Sequence, residues 1–470
     1  MGFPKIFYFL LAFFCIFTSS NNYGQIVFKE LPNYKIKSND SLFFDVTQTR
    51  NIISLNGEWK VYQADDKDKN KVSVNVPSIF EGEGELIFEK SFSLTHRQIS
   101  GSQIKLFFLG LNYTADISVN NVIIYRHSGG EFPFSLDLPK DILKEDANNI
   151  LTVKLFYELD SENTIPVKQR FLFPRNFGGI LRDVYIHLVP NISISDDNIS
   201  YEYNVKQNSA KINFYAKVEN KEFQKPVDSL LTEENFYLKV TLISPDGKAY
   251  PSTPETKFQL KINQEKEINQ TLEISSPFLW SPVNPESYTV KLEVWRGENL
   301  IDVTKHNLAI YSLESGKDSL VLNGNNFLMN GVTYVPSFYD YGNLVSYNQM
   351  EKDIRIIKET GFNTIRFTNS VPHTYYLTLC EKYGLLAFVE LPLNSIPKQL
   401  SQSQNFIDRS KNYLKNFLKS YKNYCALAAI GLGSSYLPEV DAHDSFLSSL
   451  ASIVKENSNK LTFASFKSFS

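Results

Sequence analysis

Arg366, Asn369 and Glu390 sit at or just beyond the ends of two short apolar runs, Asn363 to Thr368 and Leu385 to Leu391. A guanidinium, a carboxamide and a carboxylate so placed could be held toward one ligand. Arginine at a strand end either binds a hydroxyl or carboxylate of that ligand or braces neighbouring acids internally, and both readings stay open. Glu390 is read as the partner of such a brace before a ligand contact. Asn369 and His373 follow the run Asn363 to Thr368, where a solvated turn is the simpler expectation. Tyr334, Phe338, Tyr339 and Tyr341 cluster after an earlier run, and exposed rings there could stack on a pyranose. With 36 Phe and 26 Tyr in the chain, core packing is the stronger expectation for them. Another run, Ala426 to Leu432, leads into Gly433-Ser434-Ser435, with Glu439 four residues further on. A serine hydroxyl has no proton to give near neutral pH, so Ser435 cannot be a general acid. His96, His127, His187, His306 and His443 show no metal-ligand spacing, so neither a metal nor another cofactor is expected.

These groups need a folded support, and the composition supplies one. The 470 residues are 42% hydrophobic and 21% charged, ordinary for a globular chain of several domains. A net charge of -3 gives no field for steering onto a polyanion, so nucleic acid is not an expected partner. Lys5 followed by the apolar run Ile6 to Phe17 and the polar stretch Thr18 to Gln25 reads as a secretory leader, 1–25, and predicts export to the periplasm or beyond. The run is short of the ~20 residues a membrane-spanning helix needs, and no later segment approaches that length. Ala12-Phe13-Phe14 ahead of Cys15 lacks the small residues of a lipid-attachment site. Cys380 and Cys425 read as small buried hydrophobes.

From Leu55 to Leu188 short alternating runs are separated by turn residues, the pattern of a β-sandwich. Asn120-Asn121 between Val119 and Val122 predicts a two-residue hairpin turn, and Asn148-Asn149 reads as the same device. A second set follows Pro190, with Leu238, Val240 and Leu242 stopping at Pro245-Asp246-Gly247, and with Tyr288, Val290, Leu292 and Val294 in strict alternation. About 120 residues of this kind suit a seven-stranded immunoglobulin-like module. Beyond Asn323 the period changes to strand followed by helix. Ser346 with Gln349 reads as a capping box, Met350, Ile354 and Ile357 share a helical face, and Gly361 closes that helix. Helices bearing Leu414, Phe417, Leu418 and Tyr421, and then Phe446, Leu450 and Val454, alternate with the remaining runs, the last being Leu461 to Ala464. Counting the run near Val332 to Val335, five parallel βα strands are expected, where a closed barrel needs eight.

The expected organisation is a leader, 1–25, a jelly-roll sandwich, 26–190, an immunoglobulin-like sandwich, 191–315, and the N-terminal part of a TIM barrel, 316–470. Leu55-Asn56-Gly57-Glu58-Trp59, Val119-Asn120, Gly129-Gly130, Pro133-Phe134 and Asp137-Leu138 resemble the sugar-binding sandwich of glycoside hydrolase family 2, the β-galactosidase, β-glucuronidase and β-mannosidase group. Phe177-Gly178-Gly179-Ile180 and Arg182-Asp183-Val184 resemble the end of that domain; Leu279-Trp280-Ser281-Pro282 and Asn284-Pro285 resemble the middle one. Asp353-Ile354-Arg355, Gly361-Phe362-Asn363, Arg366, Cys380 and Gly384-Leu385-Leu386 resemble the start of the family's (β/α)8 barrel. Within it Glu390 takes the position of a family acidic residue, and Arg182-Asp183 is read as a structural ion pair.

The resemblance implies retaining hydrolysis of β-glycosides by two carboxyl groups about 5 to 5.5 Å apart. It also implies a Leu-Gly-Asn-Glu sequence at the fourth strand, whose Asn binds a sugar hydroxyl and whose Glu is the acid/base. Here that sequence is Leu432-Gly433-Ser434-Ser435, so Ser434 and Ser435 stand at those two positions. The first strand reads Gly331-Val332-Thr333-Tyr334-Val335, and Asn369 stands where the family has His. The family's nucleophile lies on the seventh strand, and the chain ends at Ser470, just past the fifth; a fragment of a longer protein is the expectation. No catalytic residue is intact by this reading. The expected function is a family-2-like secreted protein of carbohydrate metabolism, inactive or impaired as given, with Arg366, Asn369, Glu390 and Tyr334 as candidate carbohydrate contacts. The alternative is a non-catalytic carbohydrate-binding pseudoenzyme or an envelope assembly protein. Sugar specificity and oligomeric state stay open.

Overall fold

The computed structural model describes residues 26–467 apart from 32–33, 38–39, 82–84, 160–163, 168–176, 223–233, 251–254, 318 and 338–340. The expected leader, with Cys15, and the rings of Phe338 and Tyr339 lie outside the described residues.

The first unit is a sandwich of antiparallel sheets. Six strands run in the order Val72–Val76, Gly57–Gln63, Leu86–Ser93, Asn148–Phe156, Tyr113–Val119, Val122–Gly129, and four in the order Phe134–Asp137, Ser102–Phe108, Val184–Pro190, Asn51–Ser54. Alternation puts Ala115, Ile117 and Val119 inward against Leu151, Val153 and Leu155, all fully buried. Asn120 and Asn121 turn the expected hairpin at φ 49° and 68°. Asn148-Asn149 does something else: the positive φ falls at Asp146, and Asn149 is buried inside the strand. Its carboxamide bonds the N–H and carbonyl of Lys144 and the side chain of Asn120, replacing backbone partners that a tight turn would have made.

The second unit packs three strands, Ile192–Asn204, Ser209–Asn220 and Glu265–Ser275, on four: Thr256–Leu260, Glu234–Ile243, Tyr288–Arg296 and Asn299–Leu308. Tyr288, Val290, Leu292 and Val294 are all buried, as their spacing predicts. Arg50, just ahead of the first unit's strand Asn51–Ser54, forks onto Asp302 of the second unit at 2.9 and 2.6 Å. That carboxylate is wholly buried, and it also accepts the Ile194 N–H at 2.9 Å.

The third unit is a five-stranded parallel sheet in sequential order: Gly331–Tyr334, Thr364–Phe367, Leu386–Glu390, Leu427–Gly431, Leu461–Phe463. Helices Tyr347–Glu359, Thr374–Tyr383, Gln404–Tyr421 and Asp441–Asn457 lie between the strands, burying Met350, Ile354, Leu414, Phe417, Leu450 and Val454. Ser346 caps the first helix by accepting the Gln349 N–H at 3.2 Å, but the reciprocal half of the predicted capping box is replaced. The Gln349 amide reaches Asp353 instead, at 2.7 Å. A hairpin sheet that sequence reading missed, Leu313–Ser315, Leu320–Leu322 and Asn325–Phe327, precedes the first parallel strand. Its Leu322 and Phe327 pack with Trp280 against Leu386 and Ala428, at the starts of the third and fourth parallel strands.

Candidate functional site

Ligands of a βα sheet bind at the C-terminal ends of its strands, and the candidate contacts gather there. Arg366 reaches Glu390 on the next strand, its Nε at 3.0 Å from Oε2 and its Nη2 closer still. Thr368 donates to the other carboxylate oxygen at 2.8 Å. Glu390 is 1% exposed, whereas the Arg366 side chain keeps a third of its surface in solvent and lies over the Phe463 ring. Of the two readings left open for Arg366, the brace is the one built. Its Nη2 also touches Ser465 Oγ at 3.5 Å, just past the end of the fifth strand, a contact that nothing in the local pattern announced. Thr368 was legible, since a residue two places after Arg366 shares its face of the strand.

Ser434 is 6% exposed and forms a bridge to Asn394, the residue that donates to the Asn369 carboxamide at 3.0 Å. Asn369 and Ser435 both sit in the left-handed region, at φ 67° and 59°, and both are half-buried. Gly433 precedes them at φ 118°, and a Cβ there would stand 2.3 Å from the Leu393 carbonyl oxygen. Ser434, Ser435, Asn369 and the Arg366–Glu390 pair therefore line one rim. Glu439 is exposed in the turn before the last helix.

Tyr334 leaves this rim. Its hydroxyl donates to Asp353 at 2.6 Å and meets the Tyr376 hydroxyl at 2.9 Å, and its ring packs on Phe367 and Tyr376. Successive strand residues face opposite sides of a sheet, and Tyr334 falls on the side of the helices; burial and the neighbouring acid push its phenol far above the usual range. A stacking role on a sugar at the strand ends is thereby corrected to core packing.

Behind the rim, where the barrel meets the first sandwich, two further expectations are corrected. Arg182 and Asp183 do not pair with each other. Arg182, 4% exposed, lies 3.8 Å from Glu131 and donates to the carbonyls of Glu131, Leu109 and, at 2.7 Å, Val371 of the barrel. Its stem fills the space beside Gly110, where a Cβ would come within 2.6 Å of it. Asp183 accepts instead from Tyr34, from Asn56 at 2.6 Å and from Tyr347 at 2.5 Å. His373 is the second correction. It is 6% exposed rather than solvated, and its Nδ1 caps the helix Thr374–Tyr383 by accepting the Tyr375 N–H at 3.1 Å. Burial lowers its pKa to about 4, so at neutral pH it faces Asp183, 3.9 Å away, as a neutral ring. Glu131 was missed, although a carboxylate inside Gly129-Gly130-Glu131-Phe132 was a visible anomaly. Burial raises its pKa against the pull of Arg182, and Asn112 and Asn343 donate to it.

Cys380 is buried as expected, but Cys425 is only half-buried and its sulfur accepts the Ala309 N–H at 3.2 Å. Burial raises that thiol to about 12, which leaves it unreactive. Among the described residues no cluster of His, Cys, Asp and Glu could hold a metal ion, and no helix is long and apolar enough to cross a membrane.

The profile of glycosyl hydrolases family 2 matches residues 186–310, and that of the family's TIM barrel domain matches residues 313–426, together about half of the chain. A β-galactosidase of Thermoanaerobacter pseudethanolicus is 24% identical over 360 residues, covering 76% of this chain and 45% of its own length. Mouse β-glucuronidase is 20% identical over 438 residues, covering 86% of this chain and 64% of its own length. The crystal structure of a Bacteroides uniformis β-glucuronidase superposes with a TM-score of 0.77 at 21% identity, over 89% of this chain and 52% of that one. The chain spans about half the length of the first curated relatives it matches.

Proposed function

Because the chain belongs to glycosyl hydrolases family 2, we propose that it serves carbohydrate metabolism outside the cytoplasm, holding β-glycosides at the strand-end rim without an acid/base of its own. The observation that carries this reading is Ser435. It stands at the rim position where the family resemblance calls for the proton donor, and the buried carboxylate of the same rim, Glu390, has both oxygens engaged by Arg366 and Thr368. General acid catalysis contributes roughly 10²- to 10⁴-fold, so its loss silences poor leaving groups first. The Lys5 to Gln25 leader pattern supports export.

Hydrolysis of alkyl and 4-nitrophenyl β-galactosides, β-glucuronides and β-mannosides, followed from pH 4 to 8 beside calorimetric titration with the matching oligosaccharides, tests the proposal. The expected result is saturable binding of at least one glycan with alkyl glycosides left intact. A bell-shaped pH–rate profile on an alkyl glycoside would overturn it, because that shape needs a working acid and base.

A further inference from the structure

A second place in the molecule has the makings of a sugar site. A cavity of about 340 Å³, within the ~300–1,000 Å³ range of small-molecule sites, opens between the first sandwich and the barrel helix Gln404–Tyr421. One wall carries Tyr125, Phe134 and His127, three nearly parallel rings: Phe134 lies 3.9 Å from His127 at 10° and 5.8 Å from Tyr125 at 22°. Tyr125, 39% exposed, ends the stack toward solvent. The opposite wall carries Asn416, Lys419 and Ser420 of the barrel helix. Rings on one side and the Asn416 carboxamide and Lys419 ammonium on the other match the two characters of a pyranose, whose C–H face packs on aromatic carbon while its hydroxyls need partners; the Ser420 hydroxyl, which donates to the Pro133 carbonyl at 3.0 Å, keeps only its acceptor side for a ligand.

His127 supplies an independent reason to expect a ligand. It is 2% exposed, and its Nε2 has no hydrogen-bond partner, an arrangement that native proteins rarely leave in place. Burial lowers its pKa to about 3, so the ring is neutral and offers one donor and one acceptor. A hydroxyl can answer either, whereas an ammonium or a carboxylate answers only one. Among the described residues lining the cavity Lys419 is the one charged side chain, so an anionic substituent is accommodated and a cationic one is not.

We propose that this groove binds the sugar ring of a glycan, neutral or carrying a carboxylate, at a site separate from the strand-end rim. The inference rests on the carbohydrate reading above and extends it to a second position. Occupation bridges sandwich and barrel, so it also raises the melting temperature.

Methyl β-D-galactoside and methyl β-D-glucuronide, titrated by saturation-transfer NMR and followed by thermal unfolding, are the probes. Tyr125→Ala removes an exposed ring and should fold; it is expected to weaken binding about fivefold or more. His127→Phe keeps the ring stack and removes the nitrogen, so it should weaken binding while leaving the melting temperature of the free protein equal or higher. Ser435→Trp fills the strand-end rim and should leave groove binding intact. Binding unchanged in Tyr125→Ala and His127→Phe overturns the groove, and its abolition by Ser435→Trp would assign the sugar to the rim, leaving the first reading standing. Absence of any saturable binding to the parent chain also overturns it, while the hydrolysis assay still judges the rim.

Discussion

The seam between sandwich and barrel and the rim at the strand ends lie within one βα turn of each other, yet they are built differently. At the seam, Arg182, Glu131, Asp183, Tyr347 and His373 are each at least nine-tenths buried and locked by hydrogen bonds from two units of the fold. At the rim, Ser435 and Asn369 are half-buried and left-handed, and Asn369 is tied by its carboxamide to Asn394. Buried polar groups that lose a partner cost the full desolvation of the one left behind, so the seam resists substitution. A half-exposed serine such as Ser435 carries no such penalty, and that part of the rim can change while the fold persists.

The largest expected effect tests the seam. Arg182→Met strips Glu131 of its counter-charge and frees three carbonyls, and urea unfolding should show a loss of about 3–5 kcal/mol. A loss under 1 kcal/mol would erase the distinction between the two regions. The Arg366–Glu390 pair is the intermediate case, because Arg366 is a third exposed and solvent screens part of its charge. Arg366→Met should cost about 1–3 kcal/mol, and adding Glu390→Gln should recover part of it, as read from a double-mutant cycle.

A pH titration of stability reaches the other end of the barrel. Burial raises the Glu381 carboxyl to about 7, with the N–H groups of Cys425 and Ala426 partly offsetting it. An acid whose folded pKa lies above its unfolded value binds its proton more tightly when folded. Its contribution is complete below pH ~4.5 and is lost as pH rises through ~7, a fall on the order of 1–3 kcal/mol. Glu381→Gln should flatten the profile across that window; an unchanged slope would mean that another group sets it. The smallest expected effect belongs to Ser435. Replacement by glycine relieves a left-handed φ and loosens the unfolded chain, netting a gain of roughly 0.5 kcal/mol or less. A clear loss would show that its side chain holds something the rim depends on.

What the sequence disclosed follows the same division. Alternation located Tyr288 to Val294, helical spacing located Leu414 to Tyr421, and the five parallel strands fall on the five runs read from it. Such patterns are local, because a periodic face shows in a window of a dozen residues. The misreadings share a cause: Asn149 bonding Asn120, Arg182 reaching Val371 and His373 packing beside Asp183 are pairings between residues far apart in the chain. Local spacing carries no record of them. The brace was one of the two readings open for Arg366 and the preferred one for Glu390, and the neighbouring strand builds that pair.

The seam is also wired to the main chain. Some of its cross-links end on main-chain oxygens, Arg182 on Val371, Arg409 on Thr164 and Ser420 on Pro133, and within the barrel Tyr421 grips the Pro372 carbonyl in the same way. Every residue type presents that oxygen, so the accepting loops can drift in sequence while the donors stay fixed. Mutational scanning should accordingly find a lopsided map, intolerant at Arg182 and Tyr421 and permissive at the positions they grip. A scaffold wired in this way can exchange the side chains around its ligand sites across generations without renegotiating how its parts are joined.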